Sequence, residues 1–199
     1  MSRMAKESLS GTNTAWKNVL GIVFVVVLVL GALWFAQGGG NTQDDTSTIS
    51  LTDPAENAPD VGATAPSFEA ETVSGDTLAI PSSESKPTWL IFNATWCANC
   101  RAEMPDIETM FSEYGDRITF ASVYVGDSAA DVEAYGKKLK LSFPQISDPE
   151  SEIGGLYRTL GVPAHYFIDK DGSVVSLYVG ALSEDSMRER LNQLLPHSN

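Results

Sequence analysis

The chain divides into three stretches with different patterns of hydrophobic and polar positions. Residues 19–36 are an unbroken apolar run, residues 37–60 are polar and lack apolar periodicity, and residues 61–195 alternate short apolar runs with helically spaced ones. The last pattern is typical of strands that alternate with helices, and it predicts an α/β domain.

The apolar run Val19–Ala36 predicts a transmembrane signal-anchor helix. Its 18 residues would span about 27 Å as a helix, close to the ~30 Å thickness of a bilayer's hydrocarbon core. Three basic residues precede the run and the first charges after it are acidic, so the positive-inside rule places residues 1–18 in the cytoplasm and the domain outside. A cleaved signal peptide is the alternative, although its apolar region is usually shorter; either would export the domain.

Residues 37–60 predict a flexible linker. Gly, Asn, Thr, Asp, Ser and Pro dominate this stretch, and such a composition buries too little apolar surface to fold by itself. About 24 residues of this kind reach roughly 25–30 Å. We therefore expect the domain over residues 61–199 to face partners near the membrane surface.

Local periodicity assigns strands and helices within residues 61–199. Trp89–Phe92 is a short apolar run, which favours a central strand buried on both faces. Ser74 and Gly75 predict the turn of an opening β-hairpin, and Asp169–Gly172 predict a second hairpin turn. The predicted strands are Ser67–Glu71, Thr77–Ile80, Trp89–Phe92, Ile118–Val125, Ala164–Ile168 and Ser173–Val179, and the predicted helices are Cys97–Tyr114, Ser128–Leu139, Ile153–Leu160 and Ser183–Leu195.

Charge and cysteine content narrow the classes of protein. The formal net charge is −13, and a chain this acidic repels nucleic acid. Cys97 and Cys100 are the only two cysteines, too few for a secreted domain stapled by disulfides. A disulfide between them would close a very small loop, which contributes little to stability and favours a chemical role.

Cys97 and Cys100 lie between a predicted strand and a predicted helix. Their spacing puts both sulfurs on one side of the first helical turn, where they can bond. The free backbone N–H groups and the positive end of the helix dipole favour the thiolate of the first cysteine. We therefore expect Cys97 to attack a partner disulfide and Cys100 to resolve the mixed disulfide. The alternatives are two inert core cysteines or half a zinc site, for which only His165 and His197 remain as further soft ligands.

Three segments resemble the TlpA/ResA-like family of membrane-anchored thioredoxin-fold thiol–disulfide oxidoreductases. The resemblance covers about 135 residues, from Val61 to Leu195. It implies a thioredoxin-like α/β fold, with a central mixed sheet flanked by helices and an N-terminal β-hairpin, behind one N-terminal transmembrane helix. The three segments are Ala65–Phe68 (APSF), Ile91–Pro105 (IFNATWCANCRAEMP) and Gly161–Asp169 (GVPAHYFID).

The resemblance also implies roles for particular residues. Pro163 matches the family's cis-proline, which faces the cysteines, and Val162 before it would pair with a bound substrate strand; Trp96 completes the candidate substrate-binding set. Cytoplasmic thioredoxins carry a buried Asp at the position of Ile91, whereas Glu103 matches the active-site Glu of the TlpA/ResA-like family. Besides the two cysteines, Glu103 is therefore the candidate catalytic residue, because a buried carboxyl there can exchange the proton of the second cysteine. A solvated helix glutamate is the alternative.

Two residues depart from the family pattern. Asn99 stands where a proline often precedes the second cysteine, which leaves the direction of electron flow open. His165, two residues after the candidate cis-proline, is also unusual: it could approach the sulfurs, but a half-buried strand histidine is the simpler interpretation.

The resemblance predicts an extracytoplasmic reductase that needs no cofactor and acts on disulfides of exported proteins such as apocytochrome c. Because the outer compartment is oxidising, such a reductase would need electrons from a transmembrane thiol-shuttle partner. An oxidase or isomerase on the same scaffold is the alternative. A copper-binding chaperone that uses Cys97, Cys100 and His165 is a less favoured one.

Overall fold

The computed structural model describes residues 20–30, 49–51 and 59–195. The chain divides into two compact units between Asp44 and Asp45. In the first unit, residues 20–30 form helix α1, and their side chains are exposed. Residues 1–19 and 31–36, which complete the predicted N-terminal segment and transmembrane helix, lie outside the described residues. Of the helices that are described, none is long and apolar enough to span a bilayer, so the anchor stays a prediction.

A five-stranded mixed sheet organises the second unit. Its strand order is β6-β5-β4-β7-β8. Strands β4, β5 and β6 run parallel to one another, whereas β7 pairs antiparallel with both β4 and β8. A separate three-stranded antiparallel sheet has the order β1-β2-β3. The strands are β1 (Ile49–Leu51), β2 (Phe68–Glu71), β3 (Thr77–Ile80), β4 (Thr88–Asn93), β5 (Thr119–Val125), β6 (Gln145–Asp148), β7 (Ala164–Ile168) and β8 (Val174–Val179).

Four helices accompany the five-stranded sheet, and side-chain caps begin three of them. Cys97, Ser128 and Ser183 each accept a hydrogen bond from the backbone N–H of the residue three positions later, which satisfies a donor that a helix start leaves free. These caps explain why the helices begin where the polar residues of the sequence predict them. The helices are α2 (Ala98–Tyr114), α3 (Ala129–Leu139), α4 (Glu152–Leu156) and α5 (Glu184–Leu194).

Alternation along β4 produces two cores, one on each face of the sheet. Every residue of β4 is buried, as expected for a strand covered on both faces. Trp89 and Ile91 join one core with buried side chains of α2 and α5, whereas Leu90 and Phe92 join the other with side chains of α4, β2 and β3. The cysteines belong to the first core, and they lie where α2 begins, just after the carboxyl end of the central strand β4.

The structure confirms the thioredoxin-like fold and adds details that the pattern did not predict. Strand β6 was not predicted, and α4 ends at Leu156 rather than at Leu160. Two consecutive glycines in α4 weaken the helix, and Arg158 has a left-handed backbone. Strand β1 lies within the predicted linker and pairs with β2, while the rest of residues 37–58 lie outside the described residues.

Candidate active site around Cys97 and Cys100

Cys97 and Cys100 are joined by a disulfide at the beginning of α2. Cys97 is the N-cap, and its Sγ accepts a hydrogen bond from the backbone N–H of Cys100 at 3.1 Å. Only 7 % of Cys97 is exposed, and Cys100 is fully buried. Cys97 is therefore the sulfur that a partner can reach. In the reduced protein a thiolate at Cys97 would also keep this N–H donor and the favourable helix dipole.

The loop before Cys97 is held by an acid at the end of the neighbouring strand. Asp127 follows β5 and accepts two hydrogen bonds from Thr95, one from the backbone N–H at 2.7 Å and one from the hydroxyl at 2.8 Å. Ser147 of β6 in turn donates to the backbone carbonyl of Asp127 at 2.7 Å. These bonds position the turn that leads from β4 into the cysteine pair.

The loop before β7 forms the second wall of the site. The Val162–Pro163 peptide bond is cis, as the family resemblance implies. The carbonyl oxygen of Val162 lies 3.8 Å from Cys97 Sγ, which places this loop against the exposed cysteine. Trp96 is 72 % exposed and Leu160, two residues before Val162, is fully exposed. Two apolar side chains are therefore presented to solvent on the segments that flank the disulfide.

Glu103 is buried in the same core as the cysteines. It lies three residues after Cys100, and both side chains belong to the buried face of α2. Only 2 % of Glu103 is exposed. Its Oε2 accepts a hydrogen bond from the backbone N–H of Leu182 at 3.0 Å, whereas Oε1 has no hydrogen bond among the described residues. Burial, only partly offset by this donor, raises the pKa of Glu103 to about 8, so the carboxyl is mostly protonated at neutral pH.

His165 is fully buried on β7, deeper than the half-buried strand position expected from the sequence. Its Nε2 lies 3.2 Å from the carbonyl oxygen of Gly180 and 3.4 Å from Glu103 Oε1. Burial lowers the pKa of His165 to about 3, so the ring is neutral at pH 7. The polar contacts of the ring thus run to Gly180 and Glu103, and among the described residues none runs to either sulfur.

Within residues 20–30 and 59–195, no group of three or more His, Cys, Asp and Glu side chains has the arrangement that could hold a metal ion. The histidine invoked for a copper site has its Nε2 turned to a carbonyl and a carboxyl instead.

The structure therefore brings together Cys97, Cys100, Val162 and Pro163 around the disulfide, with Trp96 exposed beside it and Glu103 buried beneath the same helix face. Sequence reasoning missed two participants. Asp127 could have been found, because residues that follow neighbouring parallel strands meet at one edge of a sheet. The contact between His165 and Glu103 joins residues far apart in the sequence, and no local pattern indicates it.

Comparison with known proteins agrees with this geometry. Residues 61–177 match the model of the AhpC/TSA family. Thiol-disulfide oxidoreductase ResA of Oceanobacillus iheyensis is 31% identical over 70% of this chain and 75% of its own length. Two solved structures are also similar. A thioredoxin-family thiol:disulfide interchange protein of Chlorobium tepidum has a TM-score of 0.60 at 26% identity and covers 70% of this chain and 99% of its own. The pneumococcal exposed lipoprotein thioredoxin Etrx1 has a TM-score of 0.58 at 29% identity, and the match covers 64% of this chain and 99% of Etrx1.

Proposed function

Because this chain belongs to the AhpC/TSA family, among its ResA-like thiol–disulfide oxidoreductases, we propose that it reduces disulfides of exported proteins through the Cys97–Cys100 dithiol. In this reaction the Cys97 thiolate attacks a client disulfide and releases one client thiol. Cys100 then attacks Cys97, releases the second client thiol and leaves the disulfide seen here. The client gains two electrons and the dithiol loses two.

Burial of the cysteine pair is the observation that carries the reducing direction. A thioredoxin-fold oxidant has a high potential because its reduced, thiolate form is strongly stabilised. Here Cys97 is only 7 % exposed, His165 is neutral rather than cationic because its pKa is lowered, and a carboxyl lies one turn beyond Cys100 on the same buried face. Burial disfavours a thiolate, and the Glu103 carboxylate adds to this effect once it forms near its pKa of about 8. These effects oppose the N–H donor of Cys100, and we infer that they leave the reduced form weakly stabilised and ready to give up its electrons.

The two exposed apolar side chains support binding of an extended client segment. Trp96 and Leu160 flank the disulfide, and the Val162 carbonyl lies against Cys97. An extended peptide could place its sulfur at Cys97, pair its backbone with Val162 and cover both apolar side chains, which would otherwise stay in water. An unfolded or partly folded chain fits this requirement better than a compact surface.

The proposed location is outside the cytoplasm, on a single N-terminal anchor. The apolar run 19–36 and the charges around it support this topology. One structural neighbour is itself described as an exposed lipoprotein. In an oxidising compartment the spent disulfide must be reduced again, so the proposal includes a transmembrane thiol-shuttle donor. Apocytochrome c, whose cysteines must be reduced before haem attachment, is the proposed type of client.

The reduction potential of the Cys97–Cys100 couple tests the direction of electron flow. The full-length chain would be equilibrated with glutathione or dithiothreitol buffers of known potential, and the fraction of disulfide would be measured by thiol alkylation. A reductase is expected at about −250 mV or lower, and a value near about −120 mV would instead identify an oxidant.

Protease accessibility tests the location. In intact cells with a permeable outer envelope, the domain should be degraded by added protease, whereas a tag placed before residue 18 should be protected. Protection of the domain would contradict the proposed topology without affecting the redox chemistry.

A further inference from the structure

The ring of His165 bridges two parts of the fold next to the redox site. It projects from the second residue of β7, opposite Ile91 of β4 in the antiparallel register, and opposed residues lie on the same face of a sheet. That face is covered by α2, which carries Glu103. A single nitrogen, Nε2, lies within 3.4 Å of both Gly180 O and Glu103 Oε1.

The partner of Nε2 decides which nitrogen carries the proton. Gly180 O is a carbonyl and can only accept, so Nε2 must donate to it. The ring is neutral because burial lowers its pKa to about 3, and a neutral imidazole has one N–H. Nδ1 is therefore unprotonated, which agrees with its having no hydrogen-bond partner among the described residues. The contact with Glu103 is not an ion pair but an N–H that faces a carboxyl oxygen.

Glu103 has one free oxygen, and it is the oxygen that His165 faces. Oε2 is occupied by the N–H of Leu182, whereas Oε1 has no hydrogen bond in the described part of the chain. In the protonated carboxyl, Oε1 carries the hydrogen and is only a weak acceptor for the N–H of His165. In the carboxylate, Oε1 becomes a strong acceptor and can share that N–H.

We propose that His165 is a positioning residue for the redox reaction, whose Nε2–H, held by Gly180 O, stabilises the carboxylate form of Glu103 and so keeps it available as the base for Cys100. The inference rests on the proposed exchange chemistry. In the resolving step the Cys100 thiol transfers its proton to Oε1 of Glu103. The Cys100 sulfur then bonds to the Cys97 sulfur, and the client sulfur leaves with the electron pair of the broken mixed disulfide.

Other groups around the pair affect both titrations and are present in every variant. Asp106 on α2 disfavours the Glu103 carboxylate. Burial raises the pKa of Tyr135 on α3, and Glu103 adds to that rise. Arg190 on α5 disfavours a protonated His165. Burial, the N–H of Leu182 and Asp106 set the starting pKa of Glu103, and the N–H of His165 acts in the opposite direction from Asp106.

Two polar variants of His165 separate the proposed role from packing. The amide nitrogen of His165→Gln lies near the position of Nε2 and retains a donor, whereas that of His165→Asn lies near the position of Nδ1 and does not. In the full-length oxidised chain, the pKa of Glu103 would be followed by carboxyl ¹³C NMR. We expect it to rise by about one unit in His165→Asn, as for loss of one hydrogen bond to a charged group, and to change little in His165→Gln.

The rate of resolution provides the functional readout. A mixed disulfide of Cys97 with a small aromatic thiol would be prepared, and release of that thiol by Cys100 would be measured against pH. His165→Asn should slow release about tenfold at pH 7 and shift the pH profile upward by the same unit, with the plateau at high pH retained. In a Glu103→Gln background, His165→Asn should have no further effect.

An unchanged Glu103 pKa in His165→Asn, or an equal slowing with and without Glu103, would reduce His165 to a packing residue. If His165→Asn does not fold, a His165→Gln protein with the wild-type titration still supports the inference, and one whose Glu103 pKa rises overturns it. The direction of electron flow does not enter these measurements. A potential typical of an oxidant would therefore refute the proposed function and leave the role of His165 standing.

Discussion

Two buried carboxyl groups in the same domain have opposite surroundings. Asp148, at the end of β6, is fully buried, and each of its oxygens accepts a backbone N–H of α4, from Ile153 at 3.2 Å and from Gly154 at 2.8 Å. Glu103 is almost as deeply buried but has one such donor and one unsatisfied oxygen. Burial raises both pKa values, and for Asp148 the backbone donors oppose that rise. A buried acid with both oxygens bonded serves the fold, whereas one with a free oxygen can exchange a proton.

The largest expected effect comes from removing the attacking sulfur of the dithiol. Cys97→Ser should abolish disulfide exchange, because it removes the only sulfur in the site with exposed surface. Cys100→Ser should accumulate mixed disulfides with clients, detected on non-reducing gels. In Cys97→Ser no exchange remains for Glu103 to assist, so Glu103 and Asp148 are then equivalent. A further change at Glu103 should therefore alter only stability. Faster alkylation of Cys100 than of Cys97 in the reduced protein would reverse the assignment.

The next effect is on the pH dependence of stability. The pKa of Glu103 is about 8 in the folded chain and 4.5 as the ordinary value, so the folded state binds this proton more tightly. Its contribution to the free energy of unfolding is full below pH 4.5 and is lost as the pH rises to about 8. Between pH 4.5 and about 8, the free energy of unfolding of the wild type should fall by on the order of 3–5 kcal/mol relative to that of Glu103→Gln. Urea denaturation of the oxidised proteins at several pH values measures this, and parallel curves would contradict the assigned pKa.

Exchange kinetics should separate the two acids at neutral pH. Glu103→Gln removes the proton acceptor for Cys100 and should slow resolution of a mixed disulfide by roughly 10- to 100-fold, as for loss of a general base. Asp148→Asn is the matched control, because it removes a buried charge without touching the redox site, and its rate should match wild type. Similar slowing in both variants would show that the effect comes from general loosening of the core.

Stability at neutral pH should depend more on Asp148 than on Glu103, the reverse of the order expected for the exchange rate. In Asp148→Asn an amide N–H₂ faces a backbone N–H, so the free energy of unfolding should fall by about 1–3 kcal/mol. Glu103→Gln replaces a mostly protonated carboxyl by a group of the same shape and should cost less. Thermal denaturation of both variants at pH 7 gives the comparison, and a costlier Glu103→Gln would mean that Glu103 is the structural acid.

The smallest effect is expected for an exposed acid on the same helix. Glu113 of α2 pairs with Arg188 of α5 at the surface, which lowers the pKa of Glu113. Surface ion pairs contribute little, so Glu113→Gln should leave both the exchange rate and the pH profile above pH 5 unchanged. A change in either would indicate that coupling between α2 and α5 reaches the redox site.

Local patterns of the sequence were sufficient for most of the fold. The apolar run of β4 and the polar caps of α2, α3 and α5 each lie within a few residues of the element that they define. Strand β6 was missed because three of its four residues, Gln145–Asp148, are polar although all four are buried, whereas polar residues usually face water. Its burial follows from β5 beside it and from partners for its polar groups elsewhere in the chain.

The chemistry of the site was only partly predictable. The cysteine pair and Glu103 lie within seven residues of one another, so one motif identifies all three. The bonds between Thr95 and Asp127 and the contact between His165 and Glu103 join residues 32 and 62 positions apart. Such contacts depend on how strands are ordered in the sheet, which a pattern of hydrophobic positions does not specify.

The two hydrogen bonds from Thr95 to Asp127 have a consequence for the energetics of turnover. Fixing one residue's backbone costs about 1–2 kcal/mol of conformational entropy. Because Asp127 holds the segment before Cys97 at both a backbone and a side-chain atom, that cost is met once, when the chain folds. Each redox cycle can then begin with Cys97 already in place, and ordering of the client remains the main entropic barrier to encounter.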